Sequence, residues 1–144
     1  SSPVKDYALE HGLPVLQPAN FRSAEVQAEL AELKPDAIIV AAYGKLLPKP
    51  VLDLAPLGCL NVHPSLLPRH RGPSPVATTI LNGDQITGVT IMLLDEGMDT
   101  GPLIAQHEFF RDVIVDLFWV GSFGPGHMGE KGKIHRYRVS NSGI

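Results

Sequence analysis

The run "AIIVAAY", residues 37 to 43, constrains the fold more than any other stretch of this chain. It is continuously apolar and β-branched, the mark of a buried strand. Such a strand belongs in a sheet covered on both faces. Upstream, "SAEVQAELAELKPD" places Ser23 as an N-cap, sets Val26, Leu30 and Leu33 at helical spacing, and stops at Pro35.

The flanking segments repeat this alternation. Residues 3 to 11 read as a helix with Ser2 as N-cap and Pro3 at the first helical position. "LPVLQP" (13 to 18) reads as an edge strand closed by prolines. A short helix is expected near 50 to 54, then the strand "GCLNVH". Ser74 and Pro75 open a helix that Asn82-Gly83 closes. "TGVTIMLLD" (87 to 95) is the next strand, followed by the turn-rich "DEGMDTGP" and a final strand, "LIAQHEF". Short connections between alternating elements predict an α/β fold with an open, mostly parallel sheet. Such sheets usually begin with a strand, whereas this chain begins with a helix.

Composition narrows the function. A formal net charge of -3 provides no global basic field to attract nucleic acid. No stretch is long and apolar enough to span a membrane. Cys59 is the sole cysteine, so no disulfide can form within the chain, which suits a reducing compartment. The six histidines show no paired ligand spacing, so no metal site is expected. After Phe109 the texture changes to a glycine-rich, basic tail holding Trp119, Lys131, Lys133, Arg136 and Arg138. That tail reads as a poorly ordered end or, less favoured, an anion-touching segment.

The chemistry concentrates in "NVHPSLLPRHRG", residues 61 to 72. Asn61 and His63 point to the same side of a strand and sit where it runs into a proline-rich loop, the usual address of an α/β site. His63 can accept and donate a proton near neutral pH, and Asn61 can steady a developing oxyanion without competing for protons. Asp99, in the loop between two later strands, can orient His63 or hold a relay water. Asp95 and Glu96 are rival carboxylates. Each residue also has an ordinary structural reading, as a core histidine, a turn asparagine or an Asx-turn aspartate. In "AAYGKLLP" (41 to 48), Gly44 allows close backbone approach, and Leu46 and Leu47 can wall a flat aromatic ring.

"NVHPSLLPRHRGPSPV", "LNGDQITGVTIMLLDEGMDTGPLIAQ", "AAYGKLLP" and the opening "SPVKDYALEHGLPVLQP" together resemble the folate-dependent formyltransferases. Within that family they are most similar to the branch that formylates methionyl-tRNA for translation initiation. The resemblance covers about residues 2 to 109 and implies a Rossmann-like formyltransferase sheet lacking its first strands. Residues 1–109 would be a partial catalytic domain, and 110–144 a tail foreign to the family.

The resemblance implies Asn61, His63 and Asp99 as the catalytic constellation, and 10-formyltetrahydrofolate as formyl donor with no metal. Lys45, Leu46 and Leu47, with Leu94, Asp95, Glu96 and Gly97, would cradle the pterin. Ser65, Leu66, Leu67, Pro68, Arg69 and Arg71 would form the acceptor side. The two arginines would either meet phosphate of a methionyl initiator tRNA or simply face solvent. A cytoplasmic location follows from the same resemblance. The alternatives are a relative acting on glycinamide ribonucleotide, an amino sugar or water, and an inactive fragment.

Overall fold

The computed structural model describes residues 2–114. The tail cluster and Trp119 lie outside the described residues. The chain forms α1 (Pro3–Glu10), α2 (Ala24–Glu32), β1 (Ile38–Ala41), α3 (Lys49–Leu52), β2 (Cys59–His63), α4 (Pro75–Leu81), β3 (Ile86–Leu93) and β4 (Leu103–Phe110). Among the described residues no helix is long and apolar enough to cross a membrane.

Local chemistry accounts for the helix starts. Ser2 accepts from Lys5 N at 3.3 Å, and Pro3 supplies a preset φ where no donor is needed. Ser23 and Ser74 occupy the N-cap positions of α2 and α4 without a side-chain cap bond. Gly83, at φ 68, follows the C-cap Asn82 and donates to Ile80 O. "LPVLQP" is not a strand. Pro14 and Pro18 lack donors for a ladder, and Leu13 N turns back to Ala8 O.

The four strands form one open sheet in the order β1-β2-β3-β4. β1 and β2 are parallel, with Ile38 opposite Cys59 and Ala41 opposite Val62, and α3 lies in the crossover. The other two pairings, β2 with β3 and β3 with β4, are antiparallel. The open α/β architecture is as expected, but these four strands are mixed rather than mostly parallel. The connection from β3 to β4 is too short for a parallel crossover, which needs about a dozen residues or more. β4 must therefore return antiparallel.

β1 is covered on one face only among the described residues. Ile38 and Val40 are half-buried, while Ile39 is 62% exposed. The core lies instead under β2 and β3, around Val51, Ala55, Cys59, Leu67 and Met92. Neither α1 nor α2 buries a residue.

A buried polar layer runs beside that core. Thr90 Oγ1 donates to Ser65 O at 2.6 Å and accepts from Leu67 N at 3.1 Å and Gln106 Nε2 at 2.9 Å. The Gln106 amide also donates to Leu67 O at 2.8 Å. Together these bonds fasten the loop after β2 to the middle of the sheet. They satisfy backbone groups whose burial unpaired would be destabilising.

Candidate active site

The two-residue period of β2 puts Asn61 and His63 on the same side of the strand as Cys59. His63 is 4% exposed and Asn61 is half-buried. Asp99 arrives from the loop between β3 and β4. It adopts φ 53, a left-handed conformation that aspartate tolerates better than most side chains, and is 9% exposed.

One carboxylate meets three groups. Asp99 Oδ1 accepts from Asn61 Nδ2 at 3.4 Å and lies 3.6 Å from His63 Nδ1. Oδ2 accepts from Gly72 N at 2.8 Å. Gly72 has φ 102, which only glycine adopts readily, so the backbone can turn its N–H onto the carboxylate.

The other imidazole nitrogen, His63 Nε2, lies 3.0 Å from His70 O. A carbonyl can only accept, so a hydrogen on Nε2 is the one that satisfies His70 O, while Nδ1 faces the Asp99 carboxylate, which is likewise an acceptor. His70 and Asp84 escaped the sequence reading. Asp84 accepts from the His70 ring and from Arg69 Nη2 at 2.8 Å. Chiefly the His70 bond, aided by the Arg69 guanidinium, holds the Asp84 carboxyl below its ordinary value against the opposing effect of burial. Nothing periodic marks either residue. Only the proximity of "RHRG" to His63 in the chain hinted at His70.

Asn61, His63 and Asp99 line a cavity of about 690 Å³. Lys45, Leu46 and Leu47, following β1, form one wall, and Leu94, Asp95 and Gly97 another. Glu96 is exposed and does not line it. The Asp95 carboxylate is turned into its own loop, accepting from Gly97 N at 2.9 Å and Thr100 Oγ1 at 2.7 Å. Of the rival carboxylates, only Asp99 reaches Asn61 and His63.

The residues expected on the acceptor side lie beside the cavity rather than in its wall. None of Ser65, Leu66, Leu67, Pro68, Arg69 and Arg71 lines the cavity. Ser65 and Leu67 are buried, because the polar layer on Thr90 draws this segment inward, and Ser65 Oγ donates to Arg69 O at 2.7 Å. Arg69 is engaged by Asp84. Arg71 is exposed and pairs with no carboxylate among the described residues. Cys59 is buried beside α3, and burial pushes its thiol up. Among the described residues no three His, Cys, Asp or Glu side chains are grouped to hold a metal ion.

Comparison with known proteins gives a consistent answer. The Formyl transferase family pattern matches residues 1–113. Methionyl-tRNA formyltransferase of Chloroflexus aggregans is 61% identical over 104 residues, covering 72% of this chain and 34% of the relative. That of Legionella pneumophila strain Paris is 55% identical over 105 residues, covering 73% and 33%. The chain thus spans about a third of the length of the curated relatives it matches. Among solved structures, phosphoribosylglycinamide formyltransferase from Bacillus halodurans superposes with a TM-score of 0.71 at 30% identity, over 84% of this chain and 70% of the other. A formyltetrahydrofolate deformylase from Pseudomonas syringae pv. tomato gives 0.64 at 25% identity, over 82% and 43%. With a family pattern spanning every described element and relatives this similar, the chain belongs to the formyl transferase family.

Proposed function

We propose that this chain carries the site at which a formyl group passes from 10-formyltetrahydrofolate to the amino group of methionyl-tRNA. One observation carries the reading: Asn61, His63 and Asp99, brought from two distant segments, converge on one wall of the cavity.

The cavity suits a folate donor. Its volume lies within the roughly 300–1,000 Å³ usual for small-molecule sites. The leucine walls match the faces of a flat ring. The backbones of Lys45 and Leu47 hydrogen-bond to no other described residue, which leaves donors and acceptors for a heteroaromatic edge. The donor, when bound, supplies an activated formyl carbon open to attack by an amine.

The side chains then have distinct tasks. The Asn61 amide donates to the formyl oxygen as negative charge develops there, a neutral donor placed before the reaction. His63, holding its hydrogen on Nε2 toward His70 O, takes up or returns a proton at Nδ1. The Asp99 carboxylate keeps that nitrogen oriented, stabilises the ring when it is charged, and holds Gly72 against the site. Exposed Arg71 is the better of the two loop arginines for acceptor phosphate, since Arg69 is already engaged.

Identity of 51–61% to methionyl-tRNA formyltransferases favours that acceptor over glycinamide ribonucleotide, whose enzymes resemble this chain at about 30% or below. The test is calorimetric titration of a stable 10-formyltetrahydrofolate analogue into the chain and into Asn61→Ala and His63→Ala, followed by a labelled-formyl assay. Saturable one-to-one binding, with label appearing on methionyl-tRNA, is expected. Absence of binding rejects the folate reading; label appearing only as free formate, or on glycinamide ribonucleotide, transfers the assignment to those relatives.

A further inference from the structure

We infer that Asp84 is a positioning residue for His63, acting through the backbone of His70, which it never touches at the reacting end. The role rests on the reading of His63 as the proton-transferring group. Asp84 follows α4, where its N–H donates to Thr79 O at 3.2 Å, so the residue is anchored by its own backbone. Its two oxygens divide between Arg69 and His70. The Arg69 side chain is 60% exposed, so solvent screens that pair. The His70 side chain is 11% exposed, and its bond to Asp84 is the sheltered one.

That bond has a conformational consequence. His70 sits at φ 57, a left-handed backbone that is uncommon for a residue with a Cβ, though histidine enters it more often than most. Tethering its ring to Asp84 maintains this turn and aims the His70 carbonyl at His63 Nε2. The Nε2 side of His63 therefore meets only an acceptor, and its Nδ1 side meets the carboxylate of Asp99, itself a residue of the cavity lining. For a neutral ring the two acceptors compete for one hydrogen. The short contact to His70 O wins over the 3.6 Å approach to Asp99, so Nδ1 remains free to take the proton. Releasing His70 lets its carbonyl turn away, and the hydrogen then moves to Nδ1 against Asp99. The ring is left in the tautomer unable to accept a proton from the cavity.

Nitrogen-15 NMR of histidine-labelled full chain, at a pH where the His63 ring is neutral, reads this tautomer directly. His63→Ala identifies the resonance. The wild-type chain is expected to carry hydrogen on Nε2. Asp84→Ala should shift the ratio toward the Nδ1–H form by about fivefold or more, the size expected from losing one hydrogen bond. Arg69→Ala should leave the ratio near wild type. His70→Phe, which keeps the ring shape but not the bond, should reproduce the Asp84→Ala shift even if the latter perturbs folding. A wild-type Nδ1–H tautomer, or an unchanged ratio in folded Asp84→Ala or His70→Phe, overturns the proposal. Because the readout needs no turnover, a chain that shows the shift but transfers no formyl group rejects the functional reading alone.

Discussion

Asn61 and Asp99 are 38 residues apart in the chain, yet the Asn61 amide donates to Asp99 Oδ1 at 3.4 Å. That bond is long for N–H to O, so the amide is oriented without being strongly committed. Such a donor can turn to an oxygen that becomes more basic during reaction. Asn61→Ala should lower kcat for formyl transfer by about 10²–10³ with little change in donor affinity. Single-turnover kinetics beside calorimetry separate the two, and loss confined to affinity would remove Asn61 from the chemistry.

The polar layer beneath the site bears on stability. Thr90→Val keeps the side-chain shape, but leaves Leu67 N without its partner in a fully buried position. A decrease of about 1–3 kcal/mol in unfolding free energy is expected, with an unchanged urea m-value. A change under a few tenths would mean the loop holds itself.

Gly101 tests the β3–β4 turn. A Cβ there would overlap the Leu93 carbonyl oxygen, a main-chain atom at the end of β3 rather than the tip of a flexible side chain, so it has little room to yield. Gly101→Ala should destabilise by roughly 1–3 kcal/mol, as overpacking does. Formyl transfer should fall with it, because Asp99 lies on the same turn. Equilibrium unfolding and the labelled-formyl assay check the two effects separately.

Acid should loosen the loop after β2 through Asp84. Its folded pKa is depressed, so its contribution to stability is complete above the ordinary aspartate value of about 3.9. That contribution disappears as pH falls from there through the depressed folded value. Asp84→Asn should therefore flatten this part of the stability-against-pH curve relative to wild type, as read by denaturant melts at stepped pH. Parallel curves would remove Asp84 from the acid response.

The α/β alternation, the helices at Pro3, Ala24 and Pro75, and the pairing of Asn61 with His63 on one face were legible because each rests on local signals. These are prolines and serines at helix starts, apolar spacing, and the strand period. Strand direction was not legible, since the β3–β4 return depends on loop length and register rather than residue type. Nor were the roles of Ser65 and Leu67, where the same motif that flags a site also packs against Thr90. His70 and Asp84 were hidden for a different reason. Their function runs through a carbonyl, an atom every residue has and no sequence pattern marks.

The half-covered strand β1 has a consequence for handling the chain. Among the described residues it pairs only with β2, and Ile39 presents an apolar side chain to solvent. A border with free main-chain groups beside such a surface recruits any matching strand it meets. Concentration thus becomes a variable of this molecule's behaviour, and dilution or a charge at position 39 should keep its cavity available to titrate.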